Sequence, residues 1–248
     1  MVAIAGETAV SEAYRIVGTP QAGGILVIAD HASNRVPHDI ELGIDPALMH
    51  EHIAVDVGVA GIAERMAENE STAAFLGNVS RLVCDTNREE HDPAAIPEAS
   101  DGRTIPGNLG IDREARLARF HRPFNAALDR VLAETPPALA LILHSFTPQL
   151  ASDPDGERPW PCGLLYDNDD RGARLAIPLL EAEGFHVGDQ LPYSGKVYNA
   201  AIKRHVESAH RPYVYIEIRQ DLIAGEAGQA EWAERLALLC SRVVLALE

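Results

Sequence analysis

Gly23-Gly24-Ile25-Leu26-Val27-Ile28-Ala29 runs without a polar side chain into Asp30-His31. A short, continuous apolar run bounded by turn signals reads as a strand buried on both faces. Two other runs share the pattern: residues 138–143 lead into His144, and residues 213–216 into Glu217. In a parallel sheet covered by helices the ligand crevice lies at the carboxyl ends of such strands. The three runs therefore predict one active site in which His31, His144 and Glu217 converge.

Outward from these strands, strand-like and helix-like segments alternate, the signature of an α/β fold with a mixed, mostly parallel central sheet and helices on both faces. Asp45-Pro46 supplies an N-cap and a proline at the first helical position, and a second helical stretch follows Asp56-Val57-Gly58 to about residue 69. Residues 72–76 and 81–84 read as short strands around the Gly77-Asn78 turn signal. Residues 89–110 and 149–161 collect acids, prolines and glycines without periodicity and read as long surface loops flanking the crevice. The spacing of Leu117, Phe120, Phe124, Leu128 and Val131 predicts a helix. Residues 171–183, 197–205 and 226–247 are expected to be helical as well. The 248 residues, 46% of them hydrophobic, suit a single domain over 1–248 with residues 1–20 as an extension.

The net charge of −16 disfavours nucleic acid and anionic membranes as partners, since the chain repels phosphate. No run approaches the roughly 20 apolar residues of a membrane span. The opening residues carry Glu7 and Glu12 and do not read as a signal peptide, and three scattered cysteines build no disulfide framework. A cytoplasmic location is expected. No glycine-rich nucleotide loop and no nucleophile elbow around a serine is present.

Neutral imidazoles at neighbouring strand ends suit zinc, which in catalytic sites keeps three protein ligands and one open position. His31 and His144 are the candidate ligands, and Asp30, Asn34 and Asp56 the contenders for the third; Asp30, adjoining His31, is expected on the opposite strand face. Glu217 is placed to act as a general base, or to pair with an arginine such as Arg219. Arg81, Arg88 and Arg219 offer planar forks for substrate carboxylates, with structural pairing to Asp85 or Glu217 as the alternative. Ser145 is a weaker candidate for a substrate contact, and His121 reads as a half-exposed helix histidine.

The strings Asp30-His31-Ala32-Ser33-Asn34-Arg35-Val36-Pro37, Asp56-Val57-Gly58, Ser80-Arg81-Leu82-Val83-Cys84-Asp85-Thr86-Asn87-Arg88, His144-Ser145-Phe146-Thr147-Pro148 and Glu217-Ile218-Arg219-Gln220-Asp221, in this order, resemble the N-formylglutamate amidohydrolase family. The resemblance implies a fold related to zinc carboxypeptidases and hydrolysis of N-formyl-L-glutamate to formate and L-glutamate. It also implies a divalent metal, with zinc the best match, on His31, His144 and an oxygen ligand, and Glu217 as general base. Asn34 stands where the peptidase pattern has glutamate, so the ligand is open between Asn34 and Asp56, with Asp56 favoured for its charge. The expected partner is a small acidic substrate. Rival expectations are an amidase or carboxypeptidase for another N-acyl amino acid or small peptide, and a non-catalytic carboxylate-binding protein.

Overall fold

The three apolar runs become three adjacent strands: β2 (Ile25–Ala29), β6 (Leu139–Phe146) and β9 (Tyr213–Arg219). The computed structural model describes residues 10–197 and 200–247. Around these three, β1 (Tyr14–Val17), β3 (Thr72–Gly77), β7 (Cys162–Leu165) and β8 (Val187–Asp189) complete a seven-stranded sheet of order β1-β3-β2-β6-β9-β7-β8. Strands β3, β2, β6 and β9 run parallel, whereas β1 and β7 pair antiparallel to β3 and β9. This is the expected mixed, mostly parallel sheet.

Alternation along each strand sends side chains to two cores. Leu26, Ile28, Phe75, Ile142 and Tyr215 pack with Phe124, Leu128 and Leu132 of α3 (Arg122–Glu134). Val27, Ala74, Leu141, Val214 and Ile216 meet α1 (Val59–Met66), α4 (Arg171–Ala182) and α6 (Glu226–Leu247) on the other face. Gly58 caps α1 at φ +84°, and a Cβ there would lie 2.1 Å from the carbonyl oxygen of Ile223, so glycine serves both the turn and the packing.

The run ahead of α3 is helical from α2 (Arg113–Arg116) through a π turn at Leu117–His121. Pro123, two residues after the turn, has no N–H to donate to the residues behind it, which gives a physical reason for the wide turn.

Three expectations change. Residues 81–84 form turns, because Ser80 gathers them: its carbonyl accepts from Val83 and Cys84, and its hydroxyl bonds to Ala54. Strand β3 pairs with β1 and β2 instead of a hairpin partner. The loop at residues 89–110 contains a small hairpin, β4 (Ala99–Ser100) with β5 (Arg103–Thr104). Within the expected extension β1 forms the sheet edge, and residues 1–9 lie outside the described residues. Of the helix expected at 197–205, α5 covers Ala200–His205, and residues 198–199 lie outside the described residues.

Candidate active site

Register determines the meeting of the side chains. Ile28 pairs with Ile142, which sets Asp30 level with His144, and His144 pairs directly with Glu217. His31, Asp56, Arg81, Arg88, His144 and Glu217 line one cavity of about 390 Å³ at the carboxyl ends of the central strands.

Asp30, His31 and His144 are each 4% exposed or less. Asp30 Oδ1 lies 3.6 Å from His31 Nδ1 and 3.3 Å from His144 Nε2. These three atoms are buried and have no hydrogen-bond partner. The opposite nitrogen of each ring is occupied: His31 Nε2 donates to Asp85 Oδ1 at 2.8 Å, and His144 Nδ1 donates to Asp56 Oδ2 at 2.8 Å. The two carboxylates thereby leave lone pairs on His31 Nδ1 and His144 Nε2, the arrangement that metal-binding histidines use. An orphaned buried polar atom is costly, and three converging within 4.8 Å fit a cation.

The charge balance agrees. Burial and the Arg81 charge oppose protonation of His31, but Asp85, Asp30 and Asp56 outweigh them and push it up to about 10. Burial also opposes protonation of His144, and Asp30 and Asp56 raise it nonetheless. Burial favours the neutral acids, yet the neighbouring His31 charge keeps Asp56 and Asp85 well below the usual carboxylate range. A cluster this acidic wants positive charge between its carboxylates, supplied by protons or by a metal ion.

Both oxygens of Asp56, the ligand favoured from the sequence, are thus taken up, Oδ2 by His144 and the Ser145 N–H at 3.3 Å and Oδ1 by Arg81 at 3.4 Å, and Asp30 supplies the orphaned oxygen. Asp30 lies one residue past β2 and continues the alternation of Leu26 and Ile28, which pair with Ala140 and Ile142, and so comes level with His144. Counting by twos from Leu26 is the signal that would have found it. Gly77 makes room for it: a Cβ at residue 77 would sit 2.0 Å from the Asp30 carbonyl oxygen. Asn34 does not line the cavity and meets His50 Nδ1 at 3.4 Å.

Glu217 is 5% exposed, with the Tyr215 hydroxyl 3.4 Å from Oε1. Burial raises its carboxyl, His144 pulls it down and Asp56 raises it again, leaving it pushed up to about 7. Arg81 is braced between Asp85 (2.9 Å) and Asp56 (3.4 Å), and Arg88 stands farther from Asp85 (3.9 Å) and Asp92 (3.7 Å). Ser145 lines the cavity while donating to the Val57 carbonyl at 3.0 Å. Arg219 does not join them: its fork grips Asp221 at 2.8 and 3.2 Å, past the end of β9.

Both long loops reach the rim. Asp101, in the turn between β4 and β5 at φ +45°, accepts from the Ala151 and Ser152 N–H groups at 2.9 and 2.8 Å and from His52 at 3.1 Å. Among the described residues no helix is long and apolar enough to cross a membrane.

The sequence profile of the N-formylglutamate amidohydrolase family matches residues 23–224. No relative of curated function matches the chain. Among solved structures, a gene product of Agrobacterium tumefaciens is similar at 28% identity and TM-score 0.88, over 96% of each chain. An N-formylglutamate amidohydrolase from Ralstonia eutropha shares the fold at 19% identity and TM-score 0.75, over 95% of this chain and 98% of that one.

Proposed function

The chain belongs to the N-formylglutamate amidohydrolase family and is a hydrolase of amide bonds, and from that premise we propose that it cleaves N-formyl-L-glutamate to formate and L-glutamate with the help of a divalent metal, zinc by ligand type. The observation that carries this reading is the convergence of three orphaned atoms, Asp30 Oδ1, His31 Nδ1 and His144 Nε2, beside Glu217. These three residues would hold the ion, and when bound it acts as a Lewis acid that polarises the formyl carbonyl and acidifies water.

The chain's own groups do the rest. Asp85 and Asp56 orient the two imidazoles and increase their basicity. Glu217, poised near neutrality, takes a proton from the attacking water and delivers it to the amide nitrogen as the carbon–nitrogen bond breaks. Arg81, braced by Asp56 and Asp85, faces the oxyanion that develops on the formyl oxygen. Arg88, which lines the cavity beside Arg81, clamps a substrate carboxylate, and Ser145 lines the same wall. Positive charge at the three orphaned atoms and on the two arginines lets a cavity rich in acids accept an acidic substrate.

In this reading residues 1–248 form one catalytic domain with 1–20 as an extension, and the buried free thiols of Cys84, Cys162 and Cys240 suit a reducing cytoplasm. Elemental analysis together with formate release from N-formyl-L-glutamate tests the proposal. About one metal ion per chain with formate release supports it. Metal without release discards the substrate, and absence of both discards the mechanism.

A further inference from the structure

Arg88 ends a segment of turns, so no strand ladder fixes its place. Its backbone carbonyl accepts a hydrogen bond from His121 Nε2 at 2.8 Å. His121 is 1% exposed, lies on the π turn ahead of α3 and does not line the cavity. The half-exposed helix histidine expected from the sequence is a buried one, four residues after Leu117 and three before Phe124 on the face turned to the core.

A chain of bonds continues behind it. Asn125 Nδ2 donates to the His121 carbonyl at 2.9 Å and faces His121 Nδ1 at 3.2 Å. Asn125 Oδ1 then accepts from His205 Nε2 at 2.6 Å, and His205 Nδ1 meets Asp129 Oδ1 at 2.6 Å. Carbonyl and carboxylate oxygens only accept, which fixes each role in turn and gives His205, set between the Asn125 oxygen and the Asp129 carboxylate, a proton on both nitrogens, a state that Asp129 favours and burial opposes. The Arg88 carbonyl requires the proton on His121 Nε2, so Nδ1 presents its lone pair to Asn125. The His121 carbonyl orients the Asn125 amide, so its oxygen faces His205. Burial keeps His121 from charging, which preserves that tautomer. The chain runs from exposed Asp129 across α3 and α5 to the backbone of an arginine in the cavity wall.

We propose that His121 is a positioning residue for substrate recognition: its Nε2–H holds the Arg88 backbone where the guanidinium meets the substrate carboxylate, and Asn125, His205 and Asp129 lock the imidazole in the donating tautomer. This rests on the reading of Arg88 as the carboxylate clamp. Glutamine at residue 121 can place an amide N–H near the Nε2 position; asparagine is too short, and leucine has no donor.

The test is steady-state kinetics on metal-loaded His121→Leu, His121→Asn and His121→Gln, with Arg88→Ala and the double variant His121→Leu/Arg88→Ala. His121→Leu and His121→Asn are expected to raise KM for N-formyl-L-glutamate roughly tenfold with kcat within about twofold and metal content unchanged. His121→Gln recovers most of the loss, and His121→Leu adds less than about twofold once Arg88 is already alanine. Asparagine at 121 keeps the site polar, so its comparison with glutamine stands if the leucine variant does not fold. An unchanged KM in His121→Asn beside a raised one in Arg88→Ala overturns the proposal, as does a full further loss in the double variant. A normal KM in Arg88→Ala removes the clamp itself, a separate failure that takes this proposal with it.

Discussion

The tips of β2, β6 and β9 and the turns of residues 80–88 both supply the wall of one cavity, and they are held in different ways. His144 and Glu217 are paired on adjacent strands and Asp30 follows directly on β2, so the ladder sets their spacing. Arg81 and Arg88 sit on turns and take their positions from side-chain bonds: Asp56 and Asp85 for the first, His121 on the backbone of the second. The strand tips carry the proposed metal-facing side chains and the base, while the turns supply Asp85 behind His31 and the arginines proposed for the oxyanion, Arg81, and for recognition, Arg88.

Breaking the strand-tip wall has the largest expected effect. His144→Ala and Asp30→Ala are expected to lose metal and to lower activity by roughly 10³-fold or more, read by elemental analysis and formate release. Glu217→Gln keeps the metal and lowers kcat on the order of 10²- to 10⁴-fold. The same glutamate predicts the pH profile. It must be unprotonated to accept a proton, so kcat/KM rises with pH through about 7 and then levels, and that limb disappears in Glu217→Gln. A wild-type profile flat from pH 5 to 8 counts against Glu217 as the base.

A sharper cut separates ligand from partner. Asp56→Asn leaves the three orphaned atoms in place and is expected to weaken metal affinity about 10- to 100-fold, without abolishing it as Asp30→Ala does. Equal loss in the two variants would erase the distinction drawn from the orphaned oxygen. The smallest effect belongs to the rim. Asp101→Ala removes the acceptor that ties the β4–β5 turn to residues 151 and 152, and is expected to raise KM a few-fold with metal content and kcat near wild type.

Much of the strand-tip wall was legible in the sequence. Each run is apolar and local, and a buried parallel strand needs no partner to announce itself. The oxygen that joins the two orphaned imidazole nitrogens was not, since the sequence offered Asp30, Asn34 and Asp56 alike, and Asp30 is singled out by its place level with His144. The 80–88 segment misled for a related reason. Its alternation of apolar and polar residues matches a strand, yet Leu82 and Val83 are buried from turns that Ser80 organises. Arg219 carried the same chemical promise as Arg88, and its place as the last residue of β9, with its fork on Asp221, took it out of the cavity.

Taken alone, the chain's residue order determined the α/β class, the three central strands and the chemical residues at their ends, because burial on both faces leaves a continuous apolar run that ends where the crevice begins. Tertiary structure alone decided that Asp30 completes the trio of orphaned atoms, that Asp56 and Asp85 orient the imidazoles, and that a buried histidine 33 residues along the chain holds the backbone of Arg88. Those outcomes depend on cross-strand register and on hydrogen bonds between segments far apart in sequence, and such pairings exist only once the sheet has assembled.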